Sequence, residues 1–217
     1  MSVELSPIIA GVMNWGVWDK NLNTNEFTHL INLFIENGIT TFDHADIYGG
    51  YTTEASFGKA LSESKIDRKK IQLITKCGIQ YISENRPNNS IKHYEYSKDY
   101  IIWSAENSLK NLQTDYLDVF LLHRPSPLMQ ADEIAEAVSK LKADGKILSF
   151  GVSNFTSSQT ELLRQKTEIS FNQVQFSATH HEAMLDGSFD YMQIHNIKPM
   201  AWNPLGTVFR ENTDQTF

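Results

Sequence analysis

Apolar residues along the chain gather into short compact runs, separated by longer stretches in which they recur every three or four positions. The runs Pro7–Val12, Gly38–Phe42, Ile71–Thr75, Val119–Leu122, Ile147–Val152, Asn172–Gln175 and Lys198–Trp202 are too short for helices and read as buried strands. The periodic stretches between them read as helices with one buried face. Asn23–Asn37 carries Phe27, Leu30, Ile31, Phe34 and Ile35, with Asn23 or Thr24 to cap its start and Gly38 to suit its end. Thr53–Leu61 is a second helix. Ser97 caps a third with Ile101, Ala105, Leu109 and Leu112 inward, and Ala131–Asp144 places Ile134, Val138 and Leu141 on one stripe before Gly145. Gln159–Gln165 and Leu185–His195 complete the set.

Seven strands and six helices in alternation predict parallel β/α units with right-handed crossovers, not a meander. The expected fold class is α/β: a parallel (β/α)8 TIM-type barrel that stops after the seventh strand, as one domain over residues 1–217. A complete barrel typically takes about 250 residues, and the polar end, Arg210–Phe217, supplies no eighth strand.

Composition narrows the function. A net charge of −7 disfavours a nucleic-acid or anionic-membrane surface, because both need clustered Lys and Arg. No run of about 18 apolar residues occurs. The single cysteine, Cys77, cannot form an intrachain disulfide and fits a reducing compartment, so the expectation is a cytoplasmic protein, with a monomer favoured. Gly58-Lys59 lacks the glycine and hydroxyl spacing of a phosphate loop, and no G-x-G-x-x-G follows the first strand. His180-His181-Glu182 points its adjacent imidazoles in different directions, and no metal site is expected there.

Several strands end in chemistry. The stretch T-F-D-H-A-D-I-Y-G-G, Thr41 to Gly50, delivers a carboxylate at Asp43 and then a phenol at Tyr48. A tyrosine has a free pKa of about 10, so it yields a proton at neutral pH only beside a group that stabilises the phenolate. Lys76, closing the Ile71–Thr75 run, is the best such group, and His123 ends the Val119–Leu122 run. Polar groups at the ends of parallel strands are the pattern of an active site at the C-terminal mouth of a barrel. Trp15 and Trp18, in the loop after the first strand, either wall a substrate pocket or cover core edges. The polar passage Gln80–Tyr96 lies at the same mouth.

With Asp43, Tyr48, Lys76 and His123 in that order, and with G-V-S-N-F (Gly151–Phe155) and W-N-P-L-G (Trp202–Gly206), the sequence resembles the aldo-keto reductase family from about Pro7 to Gly206. The resemblance implies an NADP-dependent oxidoreductase reducing small aldehydes or ketones to alcohols. In that reading Tyr48 donates the proton, Lys76 eases its phenolate, Asp43 holds the lysine and His123 orients the carbonyl oxygen. It further implies that Ser153, Asn154 and Gln173 meet the nicotinamide carboxamide, that Trp202 stacks on the ring, and that Asn203, Leu205 and Gly206 begin a pyrophosphate-facing loop. The family's basic segment after the seventh strand has no counterpart before Phe217, so NADP over NAD rests on resemblance alone. The alternative is a non-catalytic or weakly active cofactor-binding subunit, or a truncated remnant of the family.

Overall fold

A computed structural model describes residues 3–206; the expectation for Arg210–Phe217 lies outside them. Seven parallel strands form one sheet in sequence order: β1 (Ile9–Gly11), β2 (Thr41–Asp43), β3 (Gln72–Cys77), β4 (Leu117–Leu122), β5 (Ile147–Ser153), β6 (Phe171–Gln175) and β7 (Lys198–Trp202). Each strand pairs with the next, so every connection is a β/α crossover that steps one strand along, the winding of a (β/α)8 barrel.

The helices sit between the strands: α1 (Thr24–Glu36), α2 (Thr53–Glu63), α3 (Lys98–Leu112), α4 (Ala131–Ala143), α5 (Ser157–Arg164) and α6 (Ser188–Ile194). Their boundaries follow their caps. Asn23 Oδ1 accepts from the Glu26 amide at 3.1 Å while Glu26 Oε2 accepts from the Asn23 amide at 2.7 Å, a reciprocal pair that fixes where α1 begins. The same device at Thr156 and Gln159 starts α5 two residues before the expected Gln159. Helix α6 is shorter than the expected Leu185–His195, because Gly187 in the left-handed region (φ 81°) separates it from a 3₁₀ turn at Glu182–Met184. The passage Gln80–Tyr96 is closed by a small antiparallel pairing, Ile79–Gln80 against His93–Tyr94.

Two apolar layers hold the sheet. The outer one packs sheet against helices and includes Phe27, Phe42, Phe57, Phe120, Phe150 and Leu141. The inner one lies inside the curl: Ile74, Val119, Leu121, Phe171 and Met200, with Val3, Leu5 and Ile9 packed against them. Because side chains in a strand return to the same face every second residue, the inner layer decides what stands at the mouth. Ile74 precedes Lys76, Leu121 precedes His123, Phe171 precedes Gln173 and Met200 precedes Trp202, each by two positions. Gly151 leaves the interior room: a Cβ there would meet the Phe171 carbonyl oxygen at 2.5 Å and Leu121 Cδ2 at 2.8 Å.

Candidate active site

The strand ends bring the four expected catalytic side chains together. Lys76 is 1% exposed, and its Nζ donates to Asp43 Oδ1 at 2.7 Å and to the His44 carbonyl at 2.8 Å. The same Nζ lies 3.4 Å from Tyr48 Oη. With the ammonium donating to that oxygen, the phenol keeps its own O–H free to donate elsewhere. The His123 ring stands 6.2 Å from the Tyr48 ring, at 79° to it. Tyr48 reaches this position through a turn in which Gly49 (φ 60°) and Gly50 (φ 66°) both occupy the left-handed region, where a Cβ would be strained.

Charge and burial set the protonation states. Burial pushes the Tyr48 phenol above its ordinary value; Lys76 opposes this without overcoming it. The sequence points to a lysine that eases the phenolate, and the structure adds a desolvation that outweighs it, keeping Tyr48 a protonated acid at neutral pH. Burial pulls the Lys76 ammonium down, but attraction to Asp43 and Tyr48 together leaves it raised and charged. His123 is held well below the usual imidazole range, first by burial and then by Lys76 and Arg124, so it is neutral. Its Nδ1 is buried without a hydrogen-bond partner among the described residues.

The residues expected to hold a cofactor form a chain of polar contacts beside this group. Ser153 Oγ donates to the Gln173 carbonyl at 3.0 Å, Asn154 Nδ2 donates to Ser153 Oγ at 2.8 Å, and Trp202 Nε1 donates to Asn154 Oδ1 at 2.8 Å. Gln173 reaches inward and donates through Nε2 to Asp43 Oδ2 at 3.2 Å, tying this row to the Asp43–Lys76 pair. Asn203 and Gly206 both have positive φ (52° and 58°), and the Gly206 amide donates to the Asn203 carbonyl at 2.9 Å, forming a tight turn that leaves Leu205 exposed.

The two tryptophans separate. Trp15 is 6% exposed and packs against Phe27, Phe34, Phe42 and Phe57, with the Phe34 ring stacked on it at 5.7 Å. Its expected place in a substrate wall is therefore corrected to the core. Trp18 is 45% exposed and stands 6.0 Å from the Tyr48 ring and 6.4 Å from the Tyr81 ring, at the mouth. Tyr81 comes from the Gln80–Tyr96 passage, which is pinned by Arg86 between the rings of Tyr51 (4.5 Å) and Trp103 (4.7 Å).

Sequence reasoning passed over a polar group behind the Tyr48 turn. Asp46 is buried, and its Oδ2 accepts from Tyr100 Oη at 3.2 Å and from Ser104 Oγ at 3.3 Å. Burial and the nearby Glu54 carboxyl push Asp46 up to about 8. Glu54, also raised by burial, accepts from Thr75 Oγ1 at 2.6 Å. His44 packs edge-on against Phe57 with neither ring nitrogen partnered among the described residues, and burial lowers it to about 3. An acid three positions after Asp43, within an apolar stretch, was the available signal. Arg124 was likewise passed over; its guanidinium lies 5.5 Å from the Trp202 ring centre. Among the described residues no cluster of His, Cys, Asp and Glu is arranged to hold a metal ion, and no helix is long and apolar enough to cross a membrane.

Residues 7–216 match the model of the aldo/keto reductase family. The oxidoreductase YcsN of Bacillus subtilis (strain 168) is 47% identical over 217 residues, covering 98% of this chain and 72% of that protein. The oxidoreductase YdhF of Escherichia coli (strain K12) is 44% identical over 205 residues, covering 94% of this chain and 67% of that protein. Among solved structures, the glycerol dehydrogenase AKR11B4 from Gluconobacter oxydans matches with a TM-score of 0.84 at 27% identity, over 98% of this chain and 65% of that one.

Proposed function

The chain belongs to the aldo/keto reductase family, and from that premise we propose that it reduces a small aldehyde or ketone to the alcohol, with Tyr48 as proton donor. The observation that carries this reading is the Lys76 ammonium, set between the Asp43 carboxylate at 2.7 Å and the Tyr48 hydroxyl at 3.4 Å.

As negative charge builds on the substrate oxygen, the Tyr48 O–H donates to it. The phenolate left behind faces Lys76, whose charge is held in place by Asp43, so the proton leaves a group whose product anion is already stabilised. His123 is neutral; with Nδ1 unpartnered, its proton is assigned to Nε2, which then donates toward the carbonyl oxygen and orients it. Positioned acids of this kind contribute roughly 100 to 10,000-fold. Trp18 and Tyr81, with ring centres 6.4 Å apart, give the mouth an aromatic wall.

A nicotinamide cofactor, when bound, supplies the hydride. The residues present fit it. Ser153, Asn154 and Gln173 offer amide and hydroxyl groups at adjacent strand ends, and Trp202 is fixed at its indole edge by Asn154, which leaves a flat ring beside them. The turn at Asn203, Leu205 and Gly206 suits the pyrophosphate side. NADP over NAD, a monomeric state, one β/α barrel domain and a cytoplasmic location complete the proposal.

The test is NADPH oxidation with benzaldehyde, in wild type and Tyr48→Phe. The reading expects turnover that falls at least about 100-fold in the variant. Equal rates, or cofactor binding with no turnover by the wild type, reject it.

A further inference from the structure

Arg124 follows His123 directly, and its backbone is fixed. The Arg124 amide donates to Tyr96 Oη at 3.2 Å, and its carbonyl accepts from the same hydroxyl. Its side chain is placed differently from those of the other arginines among the described residues. Arg68 pairs with Asp118 at 2.6 Å, Arg164 pairs with Glu161 at 2.9 Å, and Arg86 donates to the Asn85 carbonyl at 3.5 Å between two aromatic rings. The Arg124 guanidinium has no ion pair and no hydrogen-bond acceptor among the described residues, only the face of Trp202 at 5.5 Å.

That half-buried cation stands at the mouth. Its charge reaches both Tyr48 and His123, the two groups that flank the reacting carbonyl. Lys76 is balanced by Asp43 and His123 is neutral, so among the described residues Arg124 leaves one uncompensated positive charge there. Five donors with no acceptor among the described residues make a site for oxygen acceptors, and a guanidinium is geometrically suited to a carboxylate or a pair of hydroxyls.

Resting on the reductase reading, we propose that Arg124 determines substrate specificity by binding acceptor oxygens, a carboxylate or vicinal hydroxyls, carried a few bonds from the carbonyl. A plain alkyl or aryl aldehyde leaves the guanidinium unanswered. A carbonyl compound with an oxygenated tail engages it.

The test compares wild type with Arg124→Gln on two matched pairs, succinic semialdehyde against butanal and glyceraldehyde against propanal, with NADPH saturating. The readout is the kcat/KM ratio within each pair, which cancels any general effect on Tyr48 or His123. The expected result is a drop of about tenfold or more in that ratio, for a bond to a charged group. A drop in the first pair alone assigns a carboxylate, and a drop in both assigns acceptor oxygens generally. Unchanged ratios in both pairs overturn the proposal, as does a variant whose only change is weaker NADPH binding, which would give Arg124 to the cofactor. A second readout does not depend on turnover: binding of 4-hydroxybutyrate, followed by calorimetry with NADP⁺ present, should weaken about tenfold in Arg124→Gln. Equal affinity in both proteins, for 4-hydroxybutyrate and for glycerol alike, overturns the proposal, whatever the fate of the reductase reading.

Discussion

Lys76 Nζ lies 2.7 Å from Asp43 Oδ1, with the lysine side chain 1% exposed and the aspartate side chain 12% exposed. A pair this deep is held by mutual need, since each charge alone would be stranded away from water. Removing one partner costs more than the pair contributes. Asp43→Ala should therefore lose about 3–5 kcal/mol of stability in urea denaturation, and adding Lys76→Met to that variant should restore part of the loss. A double variant less stable than Asp43→Ala would contradict the pairing.

The pH dependence of catalysis follows from two burials. His123 is held well below the usual imidazole range and Tyr48 above the usual phenol value. Neither titrates near neutrality, so kcat/KM for carbonyl reduction should be flat from roughly pH 6 to pH 9. An inflection near the ordinary imidazole value, abolished in His123→Gln, would show that His123 acts as the cation instead.

Stability should depend on pH through the buried groups behind Tyr48. His44 is lowered from 6.5 to about 3, so below pH 6.5 the unfolded chain takes up a proton that the fold refuses, and stability falls with acid. Asp46 is raised from 3.8 to about 8, so between those values the fold keeps a proton the unfolded chain has lost, and stability falls with base. The two slopes oppose each other up to pH 6.5. Above it Asp46 acts with Glu54, which is raised in the same direction. From Asp46 alone the loss should be roughly 2 kcal/mol between pH 6.5 and 8, and Asp46→Asn should reduce the observed loss by about that amount. Denaturant titrations across that interval read the slope directly.

Gly151 allows two strands and a leucine to meet inside the barrel. Adding a methyl group there places a carbon 2.5 Å from the Phe171 carbonyl oxygen, and backbone cannot swing aside as a side chain can. Gly151→Ala should cost about 1–3 kcal/mol, measured as a shift in denaturation midpoint. An unchanged midpoint would mean that the interior is looser than its contacts imply.

The strand order and the four catalytic candidates were legible because the strands are short apolar runs and several of them end in a polar group, as with Val119–Leu122 before His123. Which face each residue takes was not legible. Parallel strands covered on both sides read as continuous hydrophobic runs, and the alternation that sends Leu121 inward and Phe120 outward is invisible until the register is known. Trp15 and Trp18 look equivalent in the sequence, and only the neighbouring rings of Phe27, Phe34, Phe42 and Phe57 separate core from mouth. The bond from Gln173 to Asp43 joins residues 130 positions apart, beyond the reach of any local pattern. Asp46 could be seen as an acid but not as a protonated one, because burial against Tyr100 and Ser104 is a property of the fold.

The claim on which the rest turns is that Tyr48 and Lys76 work as one acid. A double-mutant cycle on kcat/KM tests it, using Tyr48→Phe, Lys76→Met and the combined variant, each checked for folding by circular dichroism. Groups that act as a unit lose their effect once, so the combined variant should be no slower than the slower single variant, within about threefold. Losses that multiply would contradict the account, because Lys76 would then contribute without passing through the hydroxyl of Tyr48.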